Sequence, residues 1–68
     1  MEVTALKMAR VASGIKQWRL ASIVGIRASD LSNMEAGRLR VPANLRHKLA
    51  DVLEKPVNAI FPEYQESA

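Results

Sequence analysis

The side chains of this chain that could do chemistry are mostly cationic, and they fall in one stretch. Residues 7–48 carry Lys7, Arg10, Lys16, Arg19, Arg27, Arg38, Arg40, Arg46 and Lys48, nine basic groups against only Asp30 and Glu35, for a net +7. The remaining residues (Glu2, Asp51, Glu54, Lys55, Glu63 and Glu66) sum to −4. A basic body followed by an acidic tail suits a polyanionic partner. Covalent and acid–base chemistry is poorly supplied. The chain has no cysteine, a single histidine, no glycine-rich phosphate loop and no paired carboxylates, in a length too short for a deep pocket. The sequence therefore reads as that of a non-enzyme, with no cofactor expected. His47, between Arg46 and Lys48, reads as an exposed, solvated histidine, and with no cysteine or second histidine a zinc site is not expected.

The elements that must position those charges are helical. An apolar helical run, Gln17-Trp18-Arg19-Leu20-Ala21-Ser22-Ile23-Val24, ends at Gly25, and a second run starts almost at once and ends near Gly37. Gly25 suits the left-handed backbone that stops a helix, and Ala21, four residues earlier, lets a neighbouring helix come close. Two helices joined so tightly must cross steeply, as in a helix-turn-helix, with Ile26 and Leu31 pinning the second across the first. Around this pair the periodicity predicts a first helix from an N-cap at Thr4 to Ser13, with Leu6, Ala9, Arg10 and Ser13 on one stripe. The second helix spans Gln17–Val24 and the third Ala28–Ala36, which buries Leu31 and Met34. A loop follows from Gly37 to Pro42. The fourth helix covers Ala43–Leu53, with Leu45, Leu49, Val52 and Leu53 inward, and stops at Lys55-Pro56. A last turn from Val57 to Pro62 closes the core with Ile60 and Phe61. The expectation is an all-α bundle of four helices plus a short fifth turn, one domain over residues 1–62, and a polar, frayed tail over 63–68.

Sixty-eight residues bury only about 60% of their unfolded surface, so the domain's own stability is expected to be modest. Without cysteine there is no disulfide to add to it. No run approaches the roughly 18 apolar residues of a membrane span, and Met1-Glu2-Val3-Thr4 lacks the basic start of a signal peptide. The expected location is the cytoplasm, with no membrane partner.

Taken together, Arg10, Gln17-x-x-Leu20-Ala21-x-x-x-Gly25, Leu31-Ser32-x-x-Glu35-x-Gly37, Leu49-Ala50-x-x-Leu53 and Ile60-Phe61 resemble the Cro/repressor type of helix-turn-helix domain, the lambda-repressor-like or XRE group. The resemblance covers roughly residues 5–62. It implies that the third helix is a recognition helix lying in the major groove of duplex DNA, with the second helix crossing the backbone above it. It also implies a small bacterial or phage-type repressor, binding a palindromic operator as a dimer.

On that resemblance Arg27, Ala28, Ser29, Ser32 and Asn33 are the base-contacting positions. Asn33 can pair with an adenine edge, Ala28 can touch a thymine methyl, the serines suit base or phosphate, and Arg27 suits guanine or phosphate. Similar domains use a glutamine in the place of Gln17 to bridge a phosphate and the recognition helix. Lys16, Arg19, Arg38 and Arg40 read as backbone clamps that position the domain without reading sequence. Similar proteins also pair the arginine and glutamate found here as Arg10 and Glu35, a structural tie from the first helix to the end of the third. Two departures from the pattern stand out. Arg27 falls where the third helix wants a capping residue and cannot cap it, so either Asp30 compensates through the helix dipole or Ser29 caps a later start. Trp18 replaces a usually small or charged residue. Packing on the first helix or the loop after Gly37 is favoured for it, against a contact with a sugar-phosphate edge, an effector or a partner.

A weak homodimer is expected, through Leu39, Val57, Phe61 or Tyr64, while no small-molecule effector is indicated. The alternative is a protein-interaction module on the same scaffold, an antitoxin or coactivator-like adaptor, favoured if Trp18, Leu39 and Val41 form one exposed apolar patch. A fragment of a longer repressor ranks last.

Overall fold

The structure, a computed structural model, describes residues 4–62, and within them the chain is all-helical: α1 Ala5–Ala12, α2 Gln17–Val24, α3 Ala28–Glu35, α4 Ala43–Leu53 and α5 Val57–Ile60. The segment 63–68, with Tyr64 in it, lies outside the described residues. No described helix is long and apolar enough to cross a membrane.

α1 opens on Thr4, whose Oγ1 accepts from the Lys7 amide at 3.2 Å. That satisfies one of the amides the first turn leaves without an intrahelical partner. The helix turns Leu6 and Ala9 into the core and leaves Arg10 half-buried. Ser13, expected on the inward stripe, is exposed. It forms the C-cap beyond the last helical residue, where the stripe no longer follows the helical period.

α2 ends where Gly25 takes φ +82°, and the Ile26 amide then closes onto the Ala21 carbonyl at 2.9 Å. This is the six-to-one bond of a Schellman turn. A Cβ built on Gly25 would meet nothing within 4 Å, so the need for glycine there is conformational rather than spatial. Three residues, Gly25-Ile26-Arg27, join α2 to α3, which pack directly on each other. Leu20 and Leu31 are fully buried and Ala21 nearly so, while Ile26 packs from the edge of the core.

α4 lies across α2 and α5, and α5 closes against α1. Leu45, Leu49, Ala50 and Leu53 of α4 are buried together with Ile60 and Phe61, and Val52 is half-buried beside them. Two residues outside the expected apolar core prove internal. Arg46, one of the nine basic groups of residues 7–48, is 7% exposed and donates from Nη1 to the Val41 carbonyl at 2.8 Å. Val41 itself is 2% exposed, because the loop turns inward just before Pro42 and is held there by Arg46. It cannot share an exposed patch with Trp18 and Leu39. Phe61 is likewise 2% exposed, so it is a core side chain and not a dimer contact. α5 has only four residues, and the chain leaving it must fold Phe61 inward to seal the bundle.

Candidate nucleic-acid interface

Helical geometry sorts α3 into two faces. At 100° per residue, Leu31, Met34 and Glu35 fall on one arc and are all buried. Ala28, Ser29, Ser32 and Asn33 fall on the adjoining arc, as two i, i+4 pairs that run from Ala28 beside Glu35 round to Ser29 and Asn33 on the far side. Ala28 and Ser29 are exposed, and Ser32 and Asn33 are half-buried. Five of the eight residues of α3 are polar, so this outward stripe offers hydroxyl and amide groups with a methyl at its start. Such a surface can bond the edges of bases and has no apolar area that would drive packing against a protein core.

What holds that stripe in place is Glu35. Its carboxylate is almost wholly buried, yet both oxygens are engaged: Oε2 accepts from Arg10 Nε at 2.6 Å, and Oε1 accepts from Gln17 Nε2 at 3.1 Å. The Glu35 carbonyl accepts from the Thr4 hydroxyl at 2.7 Å. Arg10 extends the network by donating from Nη1 to the Ile15 carbonyl at 2.8 Å, in the link between α1 and α2. One residue at the end of α3 is thus bonded to the start of α1, the last turn of α1 and the first residue of α2. A charge at 2% exposure is tolerated only when it is paired and hydrogen-bonded, and here each carboxylate oxygen accepts a bond. The Thr4 bond was not legible from sequence, because it joins residues 31 apart.

Gln17 therefore spends part of its amide on Glu35, leaving its second N–H and its oxygen for other bonds. Lys16, Arg19, Arg38 and Arg40 are all exposed, on the start of α2 and the loop after α3. Arg38 is not a free-swinging charge: its Nε donates to Asn33 Oδ1 at 3.2 Å. Its backbone amide also donates to the Asn33 carbonyl at 2.9 Å, and the Leu39 amide reaches the same oxygen at 3.2 Å. Gly37, at φ +79°, makes the reversal that brings Arg38 back over Asn33.

The start of α3 is held more loosely. Arg27 stands at the N-cap with no side-chain cap bond, and α3 begins at Ala28, so Ser29 does not cap a later start. Asp30 lies in the first turn and accepts from Arg27 Nε at 3.4 Å, a pair whose arginine is 84% exposed.

Trp18 departs from the packing favoured for it. It is 60% exposed, since Leu20, Ala21 and Val24 fill the inward arc of α2, and Trp18 falls about 100° beyond Gln17 on the helix. Leu39 is 40% exposed and Val57 half-buried. The other large apolar side chains exposed among the described residues are Met8 and Val11, together on the outer face of α1, and Ile23. His47 is exposed on α4. No protein-family model matches the chain, and no curated protein matches it.

Proposed function

We propose that this protein is a sequence-specific double-stranded DNA-binding protein, a small transcriptional regulator of the Cro/repressor helix-turn-helix kind. The observation that carries the reading is the outward polar stripe of α3, Ala28, Ser29, Ser32 and Asn33, on a helix fixed to α1 and α2 through the buried Glu35. α3 enters the major groove, and Ser29, Ser32 and Asn33 meet base edges, with Ala28 against a thymine methyl and Arg27 at guanine or phosphate. Gln17 bonds a phosphate while its amide stays on Glu35. Lys16, Arg19, Arg38 and Arg40 hold the backbone on either side. Two copies on a palindromic operator give the usual two-half-site geometry. With Phe61 and Val41 buried, the large exposed apolar side chains among the described residues are Leu39, Met8, Val11, Trp18 and Ile23, and DNA strengthens a weak contact between the two copies.

The experiment is a binding selection on random duplex DNA, with affinity then followed against salt. An enriched palindrome is the expected outcome. With four backbone cations per protomer, log K falls with log salt at a slope of roughly −4 for each protomer engaged. Binding without enrichment, or none, refutes the reading. It would favour a protein-interaction module, whose supporting observation is Trp18 at 60% exposure on a helix surface.

A further inference from the structure

An asparagine amide can present its oxygen and its NH₂ in either of two orders, related by a half-turn of the side-chain amide. The order decides which base edge it fits. Adenine offers an N–H donor beside the N7 acceptor, so it needs the oxygen and the NH₂ side by side in one register. Guanine offers two acceptors, O6 and N7, and repels an amide oxygen placed against O6. A freely turning asparagine can adapt to either purine by moving its NH₂ across. A pinned one cannot.

We infer that Arg38 is a positioning residue that pins the Asn33 amide and so makes this position select adenine over guanine, an inference that rests on the DNA-binding reading above. The Arg38 Nε–H lies on Asn33 Oδ1 at 3.2 Å, and turning the amide over would set NH₂ against that N–H, donor against donor. The pair is closed a second way by the backbone, since the amides of Arg38 and Leu39 both bond the Asn33 carbonyl. These bonds fix the Arg38 main chain beside Asn33, with Gly37 supplying the reversal, and the Nε–H bond then sets the exposed guanidinium on the amide oxygen. Oδ1 keeps its second lone pair for the adenine amino group, and Nδ2 donates to N7. The terminal nitrogens of Arg38 still reach a phosphate, so one residue serves the backbone with its charge and the base with its Nε–H. Lysine would supply the first role and not the second.

The test is a binding selection on randomised duplex DNA with wild type, Asn33→Ala and Arg38→Lys, alongside NMR of the arginine Nε–H groups in the DNA-free proteins. Wild type should prefer adenine over guanine at one half-site position, and Asn33→Ala should lose that preference. Arg38→Lys keeps the charge at a backbone contact, so whatever affinity that contact loses is lost equally from every sequence. Its adenine-over-guanine ratio at that one position falls about tenfold, other positions being unchanged. An unchanged ratio, or a loss spread evenly over all positions, makes Arg38 a backbone contact alone and overturns the inference. In the free protein the Arg38 Nε–H resonance should move in Asn33→Ala. If it does not, the pair is absent and the inference fails whatever the DNA result. If it moves but wild type enriches no sequence, the DNA-binding reading has failed and the base-selecting role falls with it.

Discussion

At its C-terminal end α3 is bonded to α1, to α2 and to the following loop, through Glu35 and Asn33. At its N-terminal end it has an uncapped Arg27, a 3.4 Å pair to Asp30 and a short turn. The buried end uses a carboxylate at 2% exposure whose every bond is to a neighbour fixed by its own helix. The open end places its polar groups in water. Bonds at the closed end set the direction in which the helix points. At the other end the first-turn amides have no side-chain cap and the arginine is exposed. The fixed contacts of α3 are thus gathered at one end of its eight residues.

The largest effect comes from cutting the closed end. Glu35→Ala leaves Arg10, with its side chain 12% exposed, without its buried counter-charge, and strips Gln17 of its partner. The expected loss is about 3–5 kcal/mol, most of what a single core of this size supplies. Urea denaturation followed by circular dichroism measures it. Arg10→Met combined with Glu35→Leu should recover most of the loss, since a dry apolar pair replaces a charged one without leaving either partner stranded. If the double variant is as unstable as Glu35→Ala, the pair's neighbours and not the unpaired charge account for the cost.

Thr4→Val separates the two bonds of one hydroxyl from the ion pair beside them. It removes the cap on the Lys7 amide and the donor to the Glu35 carbonyl while keeping shape. The loss should be about 1–2 kcal/mol, with Arg10 and Glu35 still paired. A loss as large as that of Glu35→Ala would mean that Thr4 holds the whole closed end, not one corner of it.

The helices themselves were largely legible because local chemistry marks them. Gln17–Val24 and Ala43–Leu53 are bounded where glycine, proline and apolar period all agree, and the structure has those bounds. Side chains whose place depends on distant residues were not legible. Val41 reads as a loop residue until Arg46 is seen to hold its carbonyl, whereas Phe61 takes the core place its sequence position predicts and is thereby closed to the dimer contact also expected of it. Trp18 was read by its chemistry, which favours packing, but its angle on α2 leaves no inward place for it. The link between Asn33 and Arg38 needs a left-handed Gly37 between them, and spacing alone does not reveal which atoms then meet. Glu54 makes the same point at the end of α4. It takes φ +56°, a backbone that favours glycine, where the sequence shows only a glutamate before Lys55-Pro56.

At the open end, Arg27→Ser should do the opposite of the two preceding changes. Serine at the N-cap accepts from an unpaired amide in the first turn and should raise stability by about 1 kcal/mol. The same change removes a cation from the start of the stripe, so DNA affinity should fall while the melting temperature rises. Thermal denaturation and a DNA titration on the same samples check both signs. A drop in both would mean that Arg27 supports the fold, and the division between the two ends would be lost.

Asp30→Asn should give the smallest effect on the fold. Asp30 sits in the first turn of α3, where its charge meets the positive end of the helix, and its exposed pair with Arg27 adds little. Stability should fall by about 0.3–1 kcal/mol, toward the lower figure because the carboxylate is partly solvated. The same carboxylate stands at the end of the helix proposed to meet DNA, where it repels phosphate from any sequence. Neutralising it should therefore tighten binding to unrelated duplex more than to the selected site, narrowing the ratio between them. Titrating both duplexes at two salt concentrations reads that ratio directly. If affinity for unrelated DNA does not rise in Asp30→Asn, the open end of α3 does not approach phosphate closely. The loop that carries Arg38 and Arg40 would then be the part that meets phosphate.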